Sequence, residues 1–303
     1  MRKILYRDSM KFIFERDYLN TFCRLKLKSL FFVLLFVAFS HSLHAQPYFD
    51  VTGISMWQMP GKLNADEVTE TEVYCFVSLP INLGKNDKII PSPFYESRFL
   101  EQTEENGSER LQSLTLPIAW IHQFRDSSWS ILTFGALRSN STQLRFTGDV
   151  YQVAGAVLLN YKVTPALTLK TGVYISKEFY GDFYMWLVGI EWRVNNRLNV
   201  FGLVNNNLRM EYKFKENFHG GFAFKAINTS YRENGDGGYY KISDNHLCAY
   251  ADFNISEKFV WNIEAGHTIL RYIKSRNGAP FKEINKDGPV FKTGIAYRIR
   301  LWN

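Results

Sequence analysis

Residues 184–194 read Tyr-Met-Trp-Leu-Val-Gly-Ile-Glu-Trp-Arg-Val, and the order of these side chains decides the fold class. Tyr184, Trp186, Val188, Ile190, Trp192 and Val194 share one parity, while Met185, Leu187, Gly189, Glu191 and Arg193 share the other. A two-residue period sets successive side chains on opposite faces of an extended chain, so this is a strand with one aromatic and branched face and one that carries charge. The pattern recurs in both directions. Leu114, Leu116, Ile118 and Trp120 alternate with Ser113, Thr115, Pro117 and Ala119; Leu208, Met210, Tyr212 and Phe214 alternate with Arg209, Glu211 and Lys213. Phe259, Trp261, Ile263 and Ala265 alternate with Val260, Asn262, Glu264 and Gly266. About fourteen such runs succeed one another from Tyr48 onward, with no helical period of useful length between them.

The composition fits many two-faced strands. The 303 residues are 46% hydrophobic and 16% aromatic, yet 21% are charged and the mean hydropathy is only -0.21. Apolar and polar side chains are therefore mixed residue by residue, as in membrane strands, and not segregated into long apolar helices. A disordered or collagen-like chain is excluded. A secreted β-sandwich also has many short strands and turn signals, and alternation alone does not say which face points out; the aromatic abundance weighs against it.

The amino terminus is set apart. A basic stretch from Arg24 to Lys28 precedes the apolar run Leu30–Phe39, and Ala45 follows a few residues later. This is the pattern of a secretory signal, too short in its apolar part to span the membrane as a helix, and it predicts cleavage after Ala45. Residues 1–45 then form the signal and residues 46–303 the barrel. Those first 45 residues hold eight Lys/Arg and three Asp/Glu, so the remainder carries a formal charge of +2 in place of +7. With 28 basic and 26 acidic side chains scattered in both signs, no nucleic-acid partner is expected.

The connectors alternate in length. Long ones are predicted at 59–66, 101–109, 139–148, 177–182, 232–242 and 273–287, and short ones at 83–86, 125–127, 164–165, 195–196, 215–217 and 256–257. The short connector Asn205-Asn206-Asn207 falls where the alternation asks for a long one. Long loops at one end and tight turns at the other, around an even number of strands, are the arrangement of outer-membrane barrels. The predicted fold is all-β: a closed antiparallel transmembrane β-barrel of about 12–14 strands.

The carboxyl end adds a second indication. Thr293-Gly294-Ile295-Ala296-Tyr297-Arg298-Ile299 has the form polar-Gly-x-x-aromatic-x-apolar and resembles the terminal signal read by the machinery that folds Gram-negative outer-membrane barrels. The stretches 186–200 and 208–214 are similar to a family of porin-like outer-membrane β-barrel proteins of unknown function. The resemblance implies Gly294, Tyr297 and Ile299 as the assembly signal, with outer-membrane lipid and the barrel-assembly machinery as partners. The tail after Leu301 departs from barrels that end on an aromatic residue.

Little in the sequence carries catalysis. His122, His219, His246 and His267 stand apart, with no metal-ligand spacing. Ser243-Asp244-Asn245-His246 and the pair Glu264 and His267 are the nearest approach to a hydrolase constellation, but no nucleophile signature accompanies them. No cofactor, metal or catalytic residue is expected, and the outer-membrane hydrolase stands as an unfavoured alternative. The charged positions Glu191, Arg193, Arg209, Glu211, Lys213, Glu264, Lys292, Arg298 and Arg300 lie opposite apolar runs and are predicted to face the lumen, because an Arg or Lys against lipid at midplane costs roughly 2–4 kcal/mol. Small or no steady conductance is expected, rising when Glu211 and Arg209 are replaced together by Ala if that pair obstructs the bore. Parity places Cys75 toward lipid and Cys248 toward the lumen, so the two are predicted free. The function is read as passage or binding of a small solute through this lumen, or alternatively as a structural or surface-interaction barrel.

Overall fold

A computed structural model describes residues 47–63, 66–102, 108–125, 128–233, 237–276 and 287–301. The predicted signal segment and its cleavage site lie outside the described residues, as do the tip of the 277–286 connector and the last two residues.

Among the described residues sixteen strands follow in order: β1 (Tyr48–Leu63), β2 (Asp66–Val77), β3 (Ile81–Asn82), β4 (Asp87–Pro91), β5 (Phe94–Gln102), β6 (Ser108–Gln123), β7 (Trp129–Ser141), β8 (Tyr151–Thr164), β9 (Leu167–Glu178), β10 (Gly181–Arg193), β11 (Leu198–Leu203), β12 (Asn207–Lys215), β13 (Phe218–Arg232), β14 (Tyr239–Asn254), β15 (Phe259–Arg276) and β16 (Pro289–Arg300). One 3-10 turn, Gly148–Val150, precedes β8. No described helix is long and apolar enough to cross a membrane.

The strands close into a ring of fourteen positions. Each pairs antiparallel with its neighbour, and β16 returns to β1 from Tyr48↔Arg300 to Gln58↔Phe291. The two extra strands are not ring positions of their own. β4 and β5 lie end to end along β6, against Ile118–His122 and Ser108–Thr115 respectively. Backbone bonds from Val77 N to Pro93 O (3.0 Å) and Leu79 N to Pro91 O (2.9 Å) carry the ladder across the break. Ser92 and Pro93 cause it: a proline has no N–H to give the ladder and restrains the residue before it. The result lies at the upper end of the predicted range of strand number.

Residues 47 and 301 meet at one end, Leu301 N to Pro47 O at 3.1 Å. This terminal end also holds the tight turns 83–86, 165–166, 194–197, 216–217 and 255–258, and the ends of β6 and β7 at Gln123 and Trp129. The opposite, loop end holds the longer connectors, with exceptions. The connector predicted as long at 59–66 is a first correction: β1 and β2 run on in register to the pair Leu63↔Asp66, so only two residues join them. Two more short connectors lie at this end. One is the anticipated Asn205 turn. The other is a correction: the connector read as long at 177–182 is a two-residue turn, Phe179–Tyr180, made possible by Gly181 at φ 122°. Charged and polar Lys177, Glu178 and Asp182 look like loop residues, but they continue the ladder, Lys177↔Asp182 and Glu178↔Gly181.

Exposure assigns the faces. Leu116, Trp186 and Phe291 are 46%, 64% and 52% exposed, whereas their opposite-parity neighbours Ser113, Thr115 and Glu264 are 2–4% exposed. The apolar face is outside and the polar face inside, the inverse of a soluble sandwich. Cys75 lies with Val73 and Val77 on the outer parity; Cys248 is buried inside with Trp57, Met59 and Val290. Both thiols are free.

Toward the loop end the ring is pinched. Ser141 of β7 pairs in parallel with Arg232 of β13, a strand that is not its neighbour in the ring, and Thr142 N bonds Arg232 O at 2.9 Å. The pinch sets off a smaller ring of β13–β16, β1, β2 and β5–β7. Within it, Leu100, Leu111, Tyr231, Tyr240, Ile242 and Ile273 form a fully buried apolar cluster.

Candidate functional site: a charged lumen

The interior charges form networks, because an unpaired charge removed from water costs several kcal/mol. In the terminal half, Glu264 accepts from Arg209 at 2.5 Å and from Lys292 at 2.9 Å. Arg298 bonds Asp50 at 2.6 Å and Asp252 at 2.5 Å, and Asn262 donates to Asp252 at 2.6 Å. Arg300 reaches Glu211 at 3.0 Å. Arg209 on β12 and Glu264 on β15 are separated by two intervening strands, and Arg300 and Glu211 by three. Side chains can bridge such separations only across the concave face of a closed sheet. The guanidinium of Arg298 also lies 3.5 Å from the centroid of the Tyr48 ring.

Arg209 and Glu211 do not pair with each other. The two residues share a face of β12 but are drawn to partners on different strands, Arg209 to Glu264 and Glu211 to Arg300. Glu191 is buried and paired with Lys170 of β9. Arg193 and Lys213 are corrected in position. Arg193 ends β10 at the terminal rim and is exposed, and Lys213 pairs with Glu216 of the adjacent turn at 2.8 Å. The Lys213 hydrogen bond holds the Glu216 carboxyl below the usual carboxylate range. Both lie within the last three residues of their strands, where a long flexible side chain can reach past the rim.

A second network lies in the loop half. Arg98 is fully buried and bonds Glu70 (2.7 Å), Glu72 (2.8 Å) and Glu96 (2.7 Å). Arg271 bonds the other oxygen of Glu70 at 2.5 Å, and the Tyr231 hydroxyl donates to Glu96 at 2.6 Å. The sequence reading missed this cluster. In β2, Thr69 and Thr71 alternate with Glu70 and Glu72, so both faces are polar and the period marks neither. A third set joins Arg138, Gln152 and Ser230 around Glu178.

Between these networks lies a cavity of 830 Å³. Six cationic side chains, Arg98, Arg138, Arg209, Lys225, Lys292 and Arg298, border it, against only Asp50, Glu96 and Glu264 of the acids. Trp57 stands between two ammonium groups, with Lys225 and Lys292 each 4.8 Å from its ring centroid. Gly53, Ser55, Gly294 and Ala296 leave room on the β1–β16 side.

No hydrolase geometry assembles. His246 bonds Asp244 at 3.0 Å, but Ser243 falls on the other parity of β14. His267 donates to Thr268 O and points away from Glu264's network. Among the described residues no group of His, Cys, Asp and Glu could hold a metal ion.

The family model for a domain of unknown function, DUF6268, matches residues 98–301, more than half of the chain. The chain belongs to the DUF6268 family. No curated protein matches the sequence. Among solved structures, the DUF6268 chain is similar to the KdgM porin in complex with disordered oligogalacturonate (9% identity, 81% of this chain and 98% of that one, TM-score 0.36). It is also similar to the COG4313 outer membrane channel from Pseudomonas putida F1 (7%, 86% and 99%, 0.46) and to a mutant of the TodX monoaromatic hydrocarbon channel (11%, 82% and 89%, 0.45). The closed ladder, not these likenesses, establishes the barrel. The assembly-signal positions all lie on β16: Gly294 opposite Ser55, Tyr297 opposite Thr52 and edge-on to Phe259, and Ile299 opposite Phe49.

Proposed function

We propose that this protein is an outer-membrane barrel that binds and passes a small anionic solute through its lumen. The supporting observation is the cavity at which Lys225 and Lys292 flank Trp57, Lys225 reaching Glu72 only at 3.7 Å, enclosed by a barrel whose exterior is apolar. An apolar belt of this kind is at home in hydrocarbon, and a closed ladder leaves no strand edge at the closure between β1 and β16. Short turns and both chain ends would then face the periplasm and the longer connectors the exterior, with Gly294, Tyr297 and Ile299 read by the assembly machinery. Arg98, Arg138, Arg209, Lys292 and Arg298 are matched by carboxylates within 3 Å, so the preference for an anion rests on Lys225, which reaches Glu72 only at 3.7 Å.

Osmotic swelling of liposomes containing the protein tests this. Swelling should be faster in isosmotic small organic anions than in uncharged sugars, and slowest in organic cations. Swelling equal to that of protein-free liposomes in all three would instead support a structural barrel, the reading favoured by the packed loop-end interior.

A further inference from the structure

The ring is not of even height. β11 and β12 have only six and nine residues, and their connecting turn lies well below the loop ends of the strands that flank them. β10 pairs with β11 only from Arg193 to Gly189, and β13 pairs with β12 only up to Lys225. Val204 N to Val188 O and Ala226 N to Asn206 O are the last backbone bonds on either side. Beyond them, the β10 edge from Gly181 to Leu187 and the β13 edge from Ile227 to Tyr231 have no partner strand between them.

Side chains close the gap at its top. The Phe179–Tyr180 turn leans across, with Tyr180 Oη donating to Asn228 Oδ1 at 2.9 Å and Phe179 N donating to Ser230 Oγ at 2.9 Å. Asn205–Asn207 forms the sill. Asn205 donates from its side chain to the Trp186 carbonyl, while its own Oδ1 is buried without a hydrogen-bond partner. The cavity extends to this opening, since Phe183, Met185, Asn205, Asn206 and Asn228 are among its borders. Outside, Tyr184 and Trp186 stand 66% and 64% exposed beside it, so at this height the exterior is apolar.

The loop-end route through the smaller ring, by contrast, is filled. The apolar cluster around Tyr240 and Ile273 and the Arg98–Glu70–Arg271 network occupy it with side chains that are no more than 2% exposed. Immediately inside the sill, Lys225 lies directly across the ladder from Asn207, only partly engaged by Glu72 at 3.7 Å.

We propose that the gap between β10 and β13 above the Asn205–Asn207 turn is a lateral portal through which a small amphipathic carboxylate moves between the bilayer and the lumen. It rests on the reading of the protein as a membrane-embedded solute barrel. Two unpaired strand edges facing hydrocarbon would be left with unsatisfied N–H and C=O groups, so the gap holds water or a polar group. The amides of Asn205, Asn206 and Asn228 suit that role. A solute reaching this opening must partition into lipid, which requires an apolar portion; Phe183 and Met185 receive that portion. Lys225, the bordering cation held least closely by a carboxylate, selects an anionic head.

Decanoate is the probe, with binding measured on the full mature chain in lipid nanodiscs. Ala226→Trp and Asn206→Trp each place an indole in the opening and should slow association by about tenfold without removing the interior charges. Lys225→Gln should weaken binding by about tenfold. Leu137→Trp, on the exterior of β7, should leave association as in the wild type. Heat-modifiable migration in gels identifies folded barrels, and two independent blocking positions guard against one failing to fold. Wild-type association rates in both folded blocking variants would overturn the portal. Absence of decanoate binding to the wild type would overturn the ligand class. Anion-dependent liposome swelling is scored separately, so the portal can fail while the solute-barrel reading stands.

Discussion

Arg98 shows how much one interior residue carries. It neutralises parts of Glu70, Glu72 and Glu96, all drawn together inside the loop half, and is itself 1% exposed. Arg98→Ala would leave three carboxylates crowded around a void, and a buried network that loses one partner typically forfeits about 3–5 kcal/mol. Urea unfolding in lipid vesicles checks this; a midpoint within the range of surface variants would show that the cluster is hydrated and weak. Arg98→Met, which keeps the volume but not the charge, should be nearly as damaging, because the loss is electrostatic. The cysteines offer a simpler residue-scale test. Cys75 faces outward and Cys248 sits against Trp57 and Met59, on opposite sides of the wall. Both should react with a thiol reagent in unfolded, unreduced mature protein, and failure of both to react would mean that the wall faces are misassigned.

Among the elements, the β11–β12 hairpin is the one whose shortness has consequences. Its turn depends on Gly202, at φ 119°, where an added Cβ would also overlap the Asn207 carbonyl oxygen. Gly202→Ala therefore meets both backbone strain and a collision, and should destabilise the barrel by about 1–3 kcal/mol. Gly135, around which a Cβ would meet open space, should tolerate alanine and serves as the comparison in the same urea titration. Equal midpoints for the two variants would refute the turn geometry. Elements were legible in the sequence wherever one face was apolar and the other polar, as in β6, β10, β12 and β16. Legibility failed where both faces carry similar side chains. Glu70 and Glu72 among threonines gave no face, so the Arg98 cluster stayed hidden. Lys177 and Asp182 resembled a loop although they extend β9 and β10. Pairing across the ring, such as Ser141↔Arg232 or Arg300–Glu211, depends on curvature, which a two-residue period does not encode.

For the whole molecule, the filled loop half limits what can cross. Steady ion conductance in planar bilayers should be small, and replacing Arg209 and Glu211 together by Ala should not open the path, because neither residue lies in the apolar cluster around Tyr240 and Ile273. Large steady currents in the wild type would contradict the packing. Underlying every other statement is the inside-out arrangement: apolar residues outside, charges within. Site-directed spin labelling tests it most directly. Nitroxides at Leu116, Val188 and Phe291 should collide with oxygen dissolved in the bilayer and be shielded from a water-soluble nickel complex. Labels at Ser55 and Ser113, which border the cavity, should show the opposite preference. If the two sets exchange behaviour, or if all five positions report water alone, the barrel does not sit in a membrane with this face outward.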